Sequence, residues 1–351
     1  MELKLALFGG VIPACILGVV VLLGAGLSSR AVRQRPTKPS MPGDPSPGAA
    51  PIPPSPGTPL AMLGVLAWVA GFVLAVPFIH YASWSWPLRV TSLEWPWDFS
   101  QQRLWPVDAT ARLIHTGLML AAWVLADIGL GRLAGASHAP PTRARRTLVA
   151  TLRWIGRGVT IATVLTWLIH PYERSIGRTM LLLGVGVGTA LVLLSTWTTA
   201  LAQRERHPSL VWGAHFLAAL GAVVVLIIGR TATAGQAAAG VAALAAATAV
   251  ATLISRRAAP GPTAAFVIAG MLAWLLAVGC FATGKTNLAS SILLMLAPIA
   301  WALPRRLVNI DLVWKRVPVG TMLATAWTLT CVAAAVATAV LTQNPVIPSG
   351  Y

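Results

Sequence analysis

Three histidines lie where apolar segments of the chain end or begin, and their side chains could bind a metal. His80 ends one apolar segment, His115 lies about one turn inside the next, and His170 ends the one after that. Neutral imidazoles bind zinc, copper or haem iron when several of them converge on one metal at about 2 Å. Asp98 and Asp108 lie between the first two histidines and could add carboxylate ligands. The sequence leaves two interpretations: a shared metal or haem site, or histidines that cap helices at a membrane surface.

The segment between the first two histidines, residues 81–110, is rich in tryptophan. It holds five of the fifteen tryptophans of the chain, most of them beside proline or charged residues. Amphipathic indole rings are enriched at membrane interfaces, so a stiff lid inserted halfway into the interface is one interpretation. The other is a flat aromatic platform for a planar or apolar ligand, formed by Trp95 and Trp97. Asp98 and Asp108 would then supply its polar contacts.

The run Trp95-Pro96-Trp97-Asp98 resembles the tryptophan-rich external motif of the haem-handling cytochrome c assembly proteins, which also place histidines on either side of it. The resemblance covers residues 80–115. It departs from that family in the glycines and in the residues that follow the aspartate, and the other apolar segments show no match to it. What the resemblance implies, haem handled at the external face, is one expectation among several.

Composition and hydropathy indicate which elements position these residues. Hydrophobic residues make up 56% of the chain and charged residues 10%, against about 25% charged in soluble domains. The apolar residues come in blocks of about 20, the length of helix that crosses a hydrocarbon core of roughly 30 Å. We therefore predict an all-α polytopic membrane protein, a bundle of about ten transmembrane helices. The predicted spans are 5–27, 60–80, 111–133, 154–170, 179–201, 210–229, 234–254, 263–282, 287–303 and 317–341.

The chain divides after its first apolar segment. Residues 1–27 are predicted to be an uncleaved first helix, because the apolar run exceeds a secretory signal core of about 7 to 15 residues and its arginines follow it. Residues 28–59, rich in proline and glycine, are predicted to be a disordered cytoplasmic linker. Residues 60–341 are the predicted nine-helix bundle with the Trp-rich external loop 81–110, and residues 342–351 are an external tail.

The net charge of +17 indicates topology rather than nucleic-acid binding. Of the 26 basic residues, 18 lie in alternate segments between the spans, beginning with the segment after the first span. The positive-inside rule places those segments in the cytoplasm and both termini outside. The basic patch with interleaved aromatic residues that nucleic-acid binding requires is missing. We therefore expect a multi-pass protein of the bacterial cytoplasmic (inner) membrane, with the lipid bilayer as its partner and no nucleic acid.

One carboxylate falls inside a predicted span. Asp127 lies five residues before Arg132, near the predicted cytoplasmic surface, where it could pair with an arginine. Ionisable groups are costly in lipid and are often functional there, so an ion or proton relay is the alternative.

Small residues predict close helix packing in two of the spans. They are Gly184, Gly186 and Gly188 in the fifth span and Gly235 and Gly240 in the alanine-rich seventh span.

The residues from Gly279 to Thr286 match the phosphate-loop spacing of a glycine, four residues, then Gly-Lys-Thr. That site needs a strand before the loop and a helix after it. A leucine- and alanine-rich span precedes it here, so we interpret the match as a tight outer turn with a snorkelling lysine.

Three functions remain open at this point. The first is a carrier or permease for a small, weakly charged or apolar molecule, with a cavity lined by Thr189, Thr196, Thr325 and Thr328. The second is a haem- or metal-binding membrane protein, of redox or cytochrome assembly type, with its site at the external face. The third is a structural or assembly subunit of a membrane complex. Catalytic motifs and paired cysteines are lacking, so enzymatic activity is not the leading expectation.

Overall fold

The computed structural model describes residues 109–135, 143–202, 208–254, 262–282, 284, 286–302 and 319–343. These residues are almost entirely helical, and no strand occurs among them. The helices are α1 Ala109–Gly135, α2 Arg143–Ile169, α3 Glu173–Ile176, α4 Arg178–Ala202, α5 Pro208–Ile228, α6 Ala232–Ile254, α7 Pro262–Ala277, α8 Leu288–Leu296 and α9 Val319–Gln343. Three short segments extend α2, α7 and α8: a 3-10 turn His170–Tyr172, a π-helical turn Val278–Ala282 and a 3-10 helix Ala297–Ala302.

Five of these helical stretches are long and apolar enough to cross a membrane, by length and composition. They are Thr147–Ile176, Arg178–Leu201, Ser209–Ile228, Pro262–Ala282 and Thr321–Thr342. Three further helices carry shorter apolar segments, at Thr116–Asp127, Ala234–Val250 and Leu288–Trp301. The prediction of an all-helical fold is confirmed for the described part of the chain, and its five long apolar stretches are consistent with a membrane protein. The bundle of ten spans and the placement of the termini stay predictions. The first two predicted spans, the linker 28–59 and the tail beyond residue 343 lie outside it.

One helix begins earlier than the hydropathy pattern predicts. The predicted span 154–170 lies in α2, which already starts at Arg143. Arginine is a good helix former, so the polar residues ahead of an apolar run extend the helix instead of ending it. Arg153, which lies just before the predicted span, is therefore helical, as is Arg157 inside it.

Helices α1 and α2 form an antiparallel pair, with polar side-chain contacts near both ends. Arg112 donates from Nη1 to the Trp167 carbonyl at 3.0 Å, and its guanidinium lies 5.6 Å from the centre of the Trp167 ring. Fifteen residues further along α1, Asp127 contacts α2. Between these ties the Trp123 ring packs on Gly156, where an added Cβ would overlap the ring. The missing side chain at Gly156 sets the distance between the two helices.

Helix α7 lies at the centre of the bundle. Every residue from Thr263 to Ala277 is buried, including the large side chains of Phe266 and Trp274. Helices α1, α2, α4, α5, α6 and α8 all contact it. A helix that is apolar on every side belongs in an interior, where it can pack on all its neighbours. Its two ends are the places where polar groups of the surrounding helices meet it.

Two of the three predicted packing glycines of α4 meet a neighbouring helix. An added Cβ at Gly184 would lie 2.7 Å from Phe281, and one at Gly188 would lie 2.7 Å from Leu165. An added Cβ at Gly186 would meet nothing within 4 Å. The prediction of close packing is confirmed for Gly184 and Gly188 and is wrong for Gly186.

A helix precedes the residues that match the phosphate-loop spacing. Helix α7 continues through the π turn to Ala282, and the Thr286 amide donates to the Gly279 carbonyl at 3.2 Å. Helix α8 follows, with Asn287 as its N-cap accepting from the Ala289 amide at 2.8 Å. A nucleotide site would need a strand in place of α7, so the structure agrees with the rejection of a phosphate loop. Lys285, the predicted snorkelling lysine, lies outside the described residues.

Candidate functional site

The structure places two of the three predicted metal-binding histidines. His115 lies in the first third of α1, and His170 opens the 3-10 turn after α2. The His170 side chain is 69% exposed, and its Nε2 lies 3.4 Å from Glu173 Oε2. An exposed contact of this kind between near neighbours needs no ligand to explain it. His80 lies outside the described residues.

The predicted external site is thus placed only in part. In the described part of the chain, no group of three or more His, Cys, Asp or Glu side chains is arranged to hold a metal ion. Trp95, Trp97, Asp98 and Asp108 lie outside that part. The metal or haem site and the aromatic platform stay predictions. An absorbance spectrum and a metal analysis of the purified protein test them.

An ionic cluster is buried between α1, α2 and the beginning of α7. Asp127 is 1% exposed, and Arg157 is 3% exposed. Arg153 Nε lies 2.8 Å from Asp127 Oδ1, an ion pair by distance that is not aligned as a hydrogen bond. Arg153 Nη2 donates to the Asp127 backbone carbonyl at 2.9 Å. The pairing of Asp127 with arginine is confirmed, with these two arginines as the partners.

Thr263, in the first turn of α7, completes the cluster. Its hydroxyl donates to Asp127 Oδ2, and Arg157 Nη2 lies 3.4 Å from Thr263 Oγ1 and 3.5 Å from Asp127 Oδ2. The N-terminal end of a helix favours negative charge, so α7 adds to the stabilisation of the carboxylate. The cluster joins three helices through one acidic side chain.

Aromatic rings cover the buried guanidinium of Arg157. Its Cζ lies 5.1 Å from the centre of the Trp154 ring and 6.0 Å from that of Phe266. Guanidinium groups are weakly hydrated and stack favourably on aromatic faces, which lowers the cost of burying this one. The Nε of Arg157 is nonetheless buried without a hydrogen-bond partner in the structure.

A second buried polar pair lies near the same end of the bundle. His215 in α5 is 1% exposed, and its Nε2 lies 2.9 Å from Thr199 Oγ1 of α4. The Thr199 hydroxyl donates its one hydrogen to the Ser195 carbonyl at 2.8 Å. The neutral tautomer with hydrogen on Nε2 therefore completes the pair, with His215 as the donor. This contact fastens α4 to α5 and requires no ligand.

A cavity of about 90 Å³ lies between α4, α7 and α8, with Leu165 of α2 at its edge. Its walls are apolar except for Cys280 and Ser291, whose Sγ and Oγ lie 3.1 Å apart. The π turn brings Cys280 and Phe281 into the wall, and Gly184 allows Phe281 to approach α4. Single π turns inside helices are frequent at functional sites. The lining of this junction suits a small apolar molecule.

The four threonines of the predicted carrier cavity do not line this one. Thr196 and Thr328 are buried and donate to carbonyls of their own helices, at Val192 and Ala324. Hydroxyls that bond back to their own helix are satisfied without a ligand. Thr325 is exposed on α9.

Sequence reasoning found Asp127 but missed its partners. Arg153 and Arg157 are four residues apart and so lie on one face of a helix, with Gly156 beside them for close approach. That spacing was the available signal, and it was missed because the predicted helix starts at residue 154 and so leaves Arg153 outside it. Nothing in the sequence indicated that Cys280 lines a cavity, because its position in the cavity wall depends on the π turn.

Comparison with known proteins adds no relative. No protein-family model, curated protein or solved structure matches this chain. The function therefore has to be argued from the site itself.

Proposed function

We propose that this chain is a multi-pass integral membrane protein that carries a small apolar or weakly charged molecule. The observation that carries the proposal is the cavity at the junction of α7, the π turn and α8. Its lining is apolar, and Cys280 and Ser291 offer two polar atoms for orientation. Ligand sites are commonly apolar concavities with a few polar groups in fixed positions.

Irregular helices at the cavity support a carrier over a structural subunit. Helix α7 ends in a π turn, and α8 has nine residues before it tightens into a 3-10 helix. Broken helices in membrane carriers surround the substrate site, because irregular backbone is tolerated at that depth only where it is buried in protein or lines a cavity.

The small volume of the cavity limits the size of the ligand that it can hold without a change in the helix positions. A volume of about 90 Å³ is smaller than the roughly 150 Å³ that holds benzene in a well-studied engineered cavity. A ligand of the size of benzene or larger therefore requires α4 and α8 to separate. Leu183, on the α4 side of the lining, is 50% exposed at the outer surface of the bundle, which gives the cavity a lateral opening.

The membrane arrangement belongs to the proposal. Five helical stretches of spanning length support insertion in a bilayer, and the distribution of basic residues supports ten spans with both termini outside a bacterial cytoplasmic membrane. The carrier would then work across that membrane.

The test uses Cys280 as a native reporter of the cavity. Cys15 and Cys331 are replaced by alanine, and the protein is reconstituted in liposomes. A charged, membrane-impermeant methanethiosulfonate is then added from each side in turn. Alternating access opens a carrier's site to water, so Cys280 should react from at least one side. Labelling after denaturation in SDS gives the total thiol.

Two glycine variants of α4 make the test specific. Gly184→Leu places a side chain in the cavity and should abolish the labelling of Cys280. Gly186→Leu adds the same side chain to the same helix where nothing lies within 4 Å and should leave the labelling unchanged. A Cys280 that stays sealed from both sides, while it reacts fully in SDS, overturns the carrier proposal.

A further inference from the structure

We propose that the arginine pair Arg153 and Arg157 binds a phosphate group, supplied by an anionic phospholipid headgroup or by free phosphate. The site lies at the end of the bundle where α2 and α7 begin. It is separate from the cavity and does not depend on what the cavity carries.

Charge is unbalanced at this cluster. Asp127 contributes −1, and Arg153 and Arg157 contribute +1 each, which leaves +1 among the three contacting groups. The Thr263 hydroxyl is already used by the carboxylate. The buried Arg157 is paired with Asp127, so the remaining positive charge is that of Arg153, which is 29% exposed, and Coulomb attraction favours an anion beside it.

A donor is left over at the same place. Arg157 is 97% buried, since 3% of it is exposed, and its Nε has no hydrogen-bond partner in the structure. Buried polar groups normally have partners, and an orphan in a native fold calls for an explanation such as a bound ion. A phosphate oxygen is the acceptor that guanidinium groups bind best, because the planar fork matches its geometry.

Arg153 gives this site a route to the outside. Its side chain is 29% exposed, so an anion can reach it without unfolding the helix pair. On the same helix Leu152 is 44% exposed and Ile155 is 57% exposed. An exposed guanidinium flanked by exposed apolar side chains matches a phospholipid, whose acyl chain lies along the apolar surface while its phosphate meets the cation.

The N-terminal end of α7 favours an anion as well. Thr263 lies in the first turn of α7, and that turn has no acidic residue. Unpaired amides at helix N-termini attract negative charge. Among the described residues, the other carboxylate is Glu173, which lies beyond the opposite end of α2. Within that part of the chain, nothing else neutralises the pair.

The experiment uses the full-length protein, purified and delipidated in a neutral detergent. Dioctanoyl phosphatidylglycerol, dioctanoyl phosphatidylcholine and inorganic phosphate are added separately. Binding is measured as retained lipid by native mass spectrometry and as the rise in the thermal unfolding midpoint. We expect phosphatidylglycerol to bind and stabilise, and phosphatidylcholine to do so far less. A response to inorganic phosphate of the same size assigns the site to the free anion rather than to the lipid.

Two charge variants locate the site. Arg153→Gln removes the reachable guanidinium while Asp127 keeps Arg157, and should weaken binding by about tenfold, the loss of one charge-assisted hydrogen bond. Arg178→Gln removes an equal charge from an exposed position at the opposite end and should bind as the wild type does. Arg153→Lys should recover part of the binding, which separates a lost contact from a damaged fold.

Three results would overturn the proposal. One is a wild-type protein that binds neither anion. Another is equal binding by the Arg153→Gln and Arg178→Gln variants, which would assign the response to net charge. The third concerns Asp44, Glu205 and Asp311, the cytoplasmic carboxylates of the predicted topology. Anion binding that appears only in the triple variant Asp44→Asn, Glu205→Gln and Asp311→Asn would mean that an internal carboxylate fills the site.

Discussion

Asp127 joins three helices through a single side chain. Its carboxylate contacts Arg153 and Arg157 of α2 and accepts from Thr263 of α7. Breaking a buried pair costs far more than the pair contributes, because the remaining charge keeps its desolvation penalty without its partner. The carboxylate is therefore the residue whose loss should matter most at this end of the bundle.

Replacing Asp127 by asparagine should destabilise the protein by about 3–5 kcal/mol, since Arg157 would be left buried without a counter-charge. Arg157→Gln should also destabilise, because Asp127 would lose its buried partner. The double variant should lose less than the sum of the two, because it leaves no unpaired buried charge. Equilibrium unfolding of reconstituted protein in SDS measures all three.

A matched control comes from the exposed pair at the other end. Glu173→Gln removes a carboxylate whose partner His170 is largely exposed, so stability should change by less than about 0.5 kcal/mol. Strict additivity of Asp127→Asn and Arg157→Gln would show that the two groups act independently and would contradict the paired account.

At the level of elements, the sizes of the facing side chains determine which helices can approach closely. Lipid is as apolar as the side chains it would replace, so helices in a bilayer gain stability from close packing and hydrogen bonds rather than from leaving water. Gly156 illustrates this, because the Trp123 ring occupies the space where a side chain would lie. The same packing holds Asp127 of α1 opposite the arginines of α2.

Gly156→Ala should separate α1 from α2 and destabilise the protein by about 1–3 kcal/mol, the usual cost of overpacking. Gly186→Ala adds the same methyl group where nothing lies within 4 Å and should be neutral or gain up to about 1 kcal/mol from helix propensity. Thermal unfolding in detergent compares the two. Shrinking the ring with Trp123→Leu should restore part of the stability of Gly156→Ala. An alanine at 156 that is no worse than one at 186 would show that this contact does not set the helix spacing.

At the scale of the molecule, two buried polar contacts lie near one end of the described bundle. They are the ionic cluster and the neutral His215–Thr199 pair, at the end where α2, α5 and α7 begin. From the positive-inside rule we expect that end to face the cytoplasm. A membrane-spanning α2 would then have its two ends on opposite sides of the membrane.

Single cysteines at the two ends of α2 test this arrangement. In a chain with Cys15, Cys280 and Cys331 replaced by alanine, Ser175→Cys should react with a membrane-impermeant maleimide on intact cells. Ala144→Cys should react only after the cells are permeabilised. Both positions are exposed in the structure, so access to the reagent depends on side alone. The opposite pattern would invert the topology, and labelling of both from one side would contradict a membrane-spanning α2.

Much of the architecture follows from the sequence alone. The length of an apolar block is set by the thickness of the hydrocarbon core, so the spans from residue 111 onward could be placed within a few residues of the helices that form. The start of α2 could not, because a helix does not end where its surface becomes polar. Asp127 stood out since a carboxylate in an apolar run is costly, whatever surrounds it.

Tertiary structure decided everything that depends on which surfaces meet. Asp127 lies 30 residues from Arg157 and 136 from Thr263 in the sequence, and contacts at such separations are fixed by helix register and rotation. The cavity beside Cys280 depends on a π turn and on the fit of Phe281 against Gly184, neither of which leaves a periodic signal. The hydropathy of a segment predicts whether it can form a helix that spans lipid. The contacts between helices depend on how their side chains pack, which hydropathy does not contain.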